Sequence, residues 1–285
     1  MHYSSHIGQD AWVAECLQFK RDGFFLDFGA FDGETISNTY SLEKELGWRG
    51  ICVEPNPRFY PSLCHCRQCI TVNVALWPQS RELLRFVDAH GLSTIEAYKD
   101  VDANADRREQ ATHGVIEVDT LNPTELLKRF DAPDLIDFLS LDVEGAEYEV
   151  LSALDLRTYA IALMTIEHNH DTPRQHKIRA YLARFGYEAV QNRNDDFFFH
   201  RVHLARLSGR SGGIVDPLTA FKHVCGSYGS NEPGANMNRI LRAGRKLVKT
   251  GPRECLRQLW QKRAGREHEP HLQGRAEARQ HGAGS

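Results

Sequence analysis

Apolar residues fall along this chain in short, dense clusters, and several clusters stop abruptly at an acid or a glycine. Phe24, Phe25, Leu26 and Phe28 form a run with the length and density of a strand buried on both faces, as parallel sheets require. Similar runs predict strands at 51–54, 70–75, 137–142, 162–167, 187–191 and 196–202, with helices between most of them. Residues 10–19 read as an amphipathic helix. The interval from Ala75 to Ile136 is too long for a simple crossover. It predicts extra strands near 83–87 and 115–118, a Gly91-Leu92-Ser93 loop over the strand tips, and a helix over 124–130 before Pro133. Strands alternating with helices in this way predict an α/β fold.

The residues that end the strands carry the candidate chemistry. The segment FFLDFGAFDGETISN runs from the first strand, with Asp27 near its end, into a turn containing Gly29, Asp32 and Gly33 that then opens a helix. In open α/β sheets the carboxyl ends of strands are where ligands bind. A dinucleotide fingerprint needs three glycines spaced G-x-G-x-x-G against a pyrophosphate, whereas this turn has two, with an acid between them. Carboxylates suit the sulfonium and ammonium of S-adenosyl-L-methionine better than they suit a pyrophosphate. The second strand, in GICVEPNP, ends at Glu54, placed to accept hydrogen bonds from both hydroxyls of a ribose. In IDFLSLDVEGAEYEVL a third strand ends at Asp142, followed by Glu144 and Glu147, the last favouring the positive end of the next helix. The strand ALMTIE ends in Glu167, His168 and Asn169.

These motifs, LDFGAFDGETISNTYSLEKELGWRGICVEPNP, then NVALWP, then FLSLDVEGAEYEVL, resemble the FkbM-type family of S-adenosylmethionine-dependent methyltransferases over about residues 8–200. The resemblance implies a Rossmann-like sheet of seven strands and acceptors that are hydroxyl groups on sugars, glycans or natural products. By motif position it implies that Asp27, Gly29, Ala30, Asp32 and Gly33 flank the methionine part, and that Glu54, Pro55 and Asn56 hold the ribose. Asn73 to Ala75 then edge the adenine, and Asp142 and Glu144 face the reacting end. The opening Gly8-Gln9-Asp10 resembles a polar segment that closes over the cofactor. An alcohol acceptor must lose its proton, and the candidate bases are Asp142, Glu144 and His168. An N-methyltransferase, a cofactor-binding protein without turnover and a nicotinamide-dependent oxidoreductase are the rival readings; LDVEG stands where an amide-methylating Asn-Pro-Pro-Tyr type clamp would lie.

Two cysteine-rich or acidic groupings invite a metal reading. Cys64, His65, Cys66 and Cys69 superficially suggest zinc, but C-x-C-x-x-C is too tight for a common finger and no second knuckle follows. Asp142 with Glu144 could instead orient vicinal hydroxyls through a divalent cation. No metal is expected at either place.

Composition adds a boundary. With 285 residues and 41% hydrophobic content, the chain can hold one α/β domain and an extension. It has no apolar run long enough to span a bilayer, and MHYSSHIGQD lacks the apolar region of a secretory signal. Seven cysteines without a regular framework suit a reducing compartment, so a cytoplasmic location is expected. The formal charge of −3 conceals an asymmetry: from Ala205 onward there are 15 basic against 6 acidic residues, and before it 20 against 32. SGRSGG after Arg206 reads as a linker, 237–248 as a basic amphipathic helix, and a second such helix as running through Trp260. The expected organisation is therefore a catalytic domain at 1–206, a helical extension at 207–264 and a disordered tail at 265–285. The basic helices are expected to pack on their own domain or on a second protomer, or to dock at an anionic surface, with nucleic acid the least favoured partner.

Overall fold

The computed structural model describes residues 1–192, 194–211 and 213–228. The helices expected at 237–248 and through Trp260, and the tail at 265–285, lie outside the described residues. Eleven strands are described: β1 (Phe24–Phe28), β2 (Arg49–Val53), β3 (Ile70–Val72), β4 (Ala75–Leu76), β5 (Leu83–Val87), β6 (Thr94–Ile95), β7 (Val115–Leu121), β8 (Leu135–Leu141), β9 (Ala160–Glu167), β10 (Glu188–Asn192) and β11 (Asp195–Phe199). The helices are α1 (Gln9–Cys16), α2 (Tyr40–Leu46), α3 (Tyr60–Cys66), α4 (Ala105–Ala111), α5 (Pro123–Arg129), α6 (Glu147–Ala153), α7 (Thr172–Ala183), α8 (Arg201–Ser211) and α9 (Pro217–Tyr228).

Seven strands form one sheet in the order β10-β11-β9-β8-β1-β2-β3, in which β11 alone runs opposite to the other six. The chain leaves β1 toward β3 and later returns to β8 on the other side of β1. A crevice therefore opens between the carboxyl ends of β1 and β8, the switch point where ligands bind in such sheets. Alternation along β1 sends Leu26 and Phe28 into a core with Leu126, Leu127, Val150, Leu151 and Leu182 of α5, α6 and α7. Phe25 goes to the opposite core, with Trp12, Leu42, Leu63, Leu204 and Ala220 of α1, α2, α3, α8 and α9. Burying one such side chain contributes about 1.5–3 kcal/mol, and both faces of the sheet are covered in this way.

Five expectations from the sequence differ from the fold. Helix α1 is not amphipathic: seven of its eight residues are buried, because α9 covers the side turned away from the sheet. Trp12 Nε1 donates to Pro217 O (3.1 Å), and Val215 N donates to Cys16 O (3.0 Å). The strand expected at 70–75 is two strands, because after Val72 the chain leaves the main sheet and β4 pairs with β7 instead. The strand expected at 196–202 stops at Phe199, where α8 begins two residues later. That helix runs through 206–211, where the linker was expected to start, and it buries Leu207. The glycine turn after β1 does not pass directly into a helix: successive turns fill 30–39 before α2.

The extra strands in the long interval are present. They pair as a small sheet, β4-β7-β5-β6, whose core packs against Ala146 at the head of α6. No described helix is long and apolar enough to cross a membrane.

Candidate functional site

A concave cleft lies at the switch point, the usual place for a small-molecule site in such sheets. One wall is the carboxyl ends of β1, β2 and β8, with Asp27, Gly29, Ala30, Glu54, Pro55 and Asp142. The facing wall comes from the small sheet: Ala75, Leu76, Phe86 and Ile95, under a roof at His90, Gly91 and Ser93. The Gly91-Leu92-Ser93 loop thus lies where the sequence placed it.

Gly29 is dictated by backbone proximity. Its φ is +91°, and an added Cβ would lie 1.7 Å from the Asp142 carbonyl oxygen, so the β1 and β8 tips can meet only through a glycine. Gly29 N and Ala30 N both donate to Val53 O (3.0 Å each), which locks the turn to β2. Glu54 completes this lock. Its Oε2 accepts from Phe31 N (2.9 Å) and its Oε1 from Asn56 N (2.7 Å). Each oxygen keeps a lone pair for a ligand hydroxyl. Burial pushes the Glu54 carboxyl up to about 8, against the pull of those two amides. Asp27 is also raised by burial, opposed by the Arg67 guanidinium, and it accepts from Thr39 Oγ1 (2.5 Å).

The sheet register sets acids side by side at the tips. Asp195 pairs with Glu167 in register, and Asp142 follows Leu141 beside Glu167, so all three emerge on one sheet face in neighbouring strands. Asp142 and Glu167 share a hydrogen bond, and burial raises both carboxyls; burial also pushes Asp195 up to about 7. Carboxyl oxygens of Asp142, Glu144 and Glu167 lie within 4.8 Å of one another, the one metal-capable grouping among the described residues. Glu144 sits in left-handed backbone (φ +54°) before Gly145 (φ +128°), which turns its side chain into the group. Burial raises its carboxyl, the Asp142 charge raises it further, and Arg108 opposes both. Glu147 belongs to the scaffold: it accepts from Gly145 N (2.9 Å) at the start of α6 and from Arg174 Nη1 (2.7 Å).

Several candidate residues lie elsewhere. Asp32 does not line the cleft; it accepts from Glu34 N, Thr35 N and Thr35 Oγ1 and so shapes its own turn. Gly33 packs against α3, where a Cβ would meet Cys66 Sγ and Leu63 Cδ1 at 2.7 Å. Asn56 turns away toward Asp88 and Ser93, and Asn73 donates to the Glu54 and Pro55 carbonyls, bracing the cleft from behind. His168 is buried behind the tips. Its Nδ1 accepts from His170 N (3.2 Å), its Nε2 meets Gln175 (3.2 Å), and burial lowers its pKa. Gln9 donates to Asp195 Oδ2 (2.8 Å), so the opening polar segment does reach the acidic tips. Cys64 and Cys66 contact Thr71 Oγ1 and Asp32 O, both at 3.3 Å.

Two site residues have no clear signature in the sequence. Asn38 reaches the cleft from the turns before α2; its Nδ2 donates to Ser140 Oγ (2.9 Å), while its buried Oδ1 has no partner. Arg108 lies on a polar helix, ADRREQA, that reads as solvated, yet it is 1% exposed. It donates to the Leu92 and Lys99 carbonyls (2.8 and 2.7 Å), to Asp102 and to Glu144 Oε2 (3.0 Å), fastening the roof to the acidic group.

This sheet order and this crevice define a doubly wound α/β protein with an acidic cleft at its switch point. The chain belongs to the FkbM methyltransferase family: the family's domain, Methyltransferase FkbM domain, matches residues 27–189, more than half of its length. The resemblance carried by the three sequence motifs is thereby confirmed. No curated protein sequence matches the chain. Among solved structures, precorrin-6y C5,15-methyltransferase from Geobacter metallireducens GS-15 is similar at 15% identity and a TM-score of 0.37, over 67% of this chain and 84% of that one.

Proposed function

We propose that the protein transfers a methyl group from S-adenosyl-L-methionine to a hydroxyl oxygen of a sugar, glycan or natural-product acceptor. The observation that carries this reading is the cleft of a methyltransferase-family sheet whose tips present Glu54 and Asp142 together with the unpartnered Asn38 Oδ1. In their ionised state these groups are acceptors, and they fit a ligand that brings hydroxyl and ammonium donors and positive charge. When bound, the cofactor supplies a methyl carbon made electrophilic by its sulfonium. Glu54 would hold the ribose hydroxyls with its free lone pairs. Val74, Ala75 and Pro55 would border the base, and Asp27, Asn38 and Gly29 would lie toward the amino-acid end.

The chain's remaining task is to orient an acceptor oxygen and take its proton. Asp142 and Glu144 line the cleft and are the proposed bases. Shared hydrogen bonding to Glu167 and the Arg108 contact would set which carboxylate is free to accept that proton. His168, with both ring nitrogens engaged in the scaffold, would support the β9 tip. Asp142, Glu144 and Glu167 are also the residues that could hold a divalent cation, although Arg108 and Asn169 already occupy oxygens of that group.

The test is incubation of the purified protein with methyl-labelled donor and fractionated metabolite or glycan extracts, with mass spectrometry of the product. A labelled methyl ether is the expected product. A labelled amine or amide would reassign the acceptor atom, and binding without any transfer would leave a cofactor-binding protein.

A further inference from the structure

In the CHCRQC segment the last cysteine meets another thiol. Cys69 Sγ lies 3.4 Å from Cys52 Sγ, the only sulfur–sulfur contact among the described residues. The register explains it. Cys52 on β2 pairs with Thr71 on β3, and Cys69 precedes Thr71 by two residues, so both side chains emerge on the same face of the sheet. Burial holds the Cys52 thiol well above its usual range, opposed by the buried Arg67 guanidinium, so Cys52 is placed to follow rather than to lead an exchange. Cys52 is fully buried, whereas Cys69 is only partly buried.

We propose that Cys52 and Cys69 are a modification site: a dithiol that closes to an intramolecular disulfide on exchange with a low-molecular-weight disulfide such as oxidised glutathione. Cys69, as the thiolate, attacks the reagent and forms a mixed disulfide, releasing one small thiol. Cys52 then loses its proton as its sulfur attacks Cys69 Sγ, and the second small thiol departs. Two protein thiols are oxidised and one disulfide is reduced to two thiols. The sulfurs need to approach from 3.4 Å to about 2.05 Å, within the reach of side-chain rotation and a slight shift of the segment before β3. The resulting bond would tie β2 to that segment just below the Glu54 tip.

Trypsin separates the relevant thiols, since Arg49, Arg58, Arg67 and Arg81 divide the region into 50–58 with Cys52, 59–67 with Cys64 and Cys66, and 68–81 with Cys69. The folded full-length protein is incubated with oxidised glutathione, unfolded in the presence of an alkylating agent, digested and analysed by mass spectrometry. The expected result is a 50–58/68–81 pair, two hydrogens lighter than the reduced peptides and separated by dithiothreitol. In Cys69→Ser the pair is absent and Cys52 is alkylated only after unfolding. Circular dichroism of that variant confirms that it is folded. Any outcome in the wild type without this pair overturns the proposal, including a glutathione adduct that stays on 68–81 while Cys52 remains alkylatable, or cross-links confined to 59–67. The experiment needs no methyl acceptor, so its failure is independent of the proposed activity.

Discussion

Glu54 holds two amides of the protein and, on the proposed reading, two hydroxyls of a ligand, so its protonation decides both. Removing it in Glu54→Ala is expected to weaken cofactor binding by roughly 1.5–3 kcal/mol, the value of losing charge-assisted hydrogen bonds, as read by titration calorimetry. An affinity unchanged in that variant, with the protein folded, would take the ribose away from Glu54. Its pKa gives a second expectation. With the carboxyl pushed up to about 8, the empty cleft holds a proton on Glu54 at lower pH, whereas ribose hydroxyls donate best to the carboxylate. Binding should therefore release a proton, tighten as pH rises toward about 8 by up to about tenfold per unit, and level off above it. Calorimetry in buffers of different ionisation heat checks this, and a flat profile without proton release would contradict it. The acidic group at Asp142, Glu144 and Glu167 makes a third. Because Arg108 and Asn169 already engage its oxygens, chelation with EDTA is expected to leave methyl transfer intact. Loss of transfer that magnesium restores would assign the group to a cation instead.

At the scale of elements, the chief question is where the domain stops. We propose that it extends through α9, since α9 is what makes α1 a buried helix and Phe221 packs edge-on against Phe197 of β11 (5.3 Å between ring centres). A chain ending after Ser208 is expected to uncover Trp12 and to melt well below the full-length protein or aggregate, while one ending after Tyr228 keeps its melting temperature. Equal melting of both would return the boundary to about 206. The strands that build the cleft were legible because buried parallel strands are written as uninterrupted apolar runs, and the acids that end them stand out against that background. Glu54 and Asp142, which line the cleft, stand out in the sequence for this reason. Asp32 and Asn73 have the same composition and sit beside the same motifs, but hydrogen-bonding partners turn them into supports for loops, which a sequence does not display. The burial of α1 was hidden because its cover arrives about two hundred residues later in the chain. Arg108 was hidden because a charged residue on a polar helix looks the same whether it faces water or four carbonyl and carboxylate partners.

The whole molecule is organised around one topological fact: the chain reverses its direction across the sheet at β1. That reversal opens the crevice, and the glycine at its edge lets two backbones meet there. The long excursion between β4 and β8, which a simple crossover does not need, supplies the opposite wall and the roof. Everything proposed about activity depends on that cleft holding S-adenosyl-L-methionine, and titration calorimetry of the full-length protein with S-adenosylhomocysteine and, separately, with NAD tests this most directly. Saturable, one-to-one binding of S-adenosylhomocysteine with no heat from NAD is the predicted result; saturable binding of NAD with none of S-adenosylhomocysteine would contradict it.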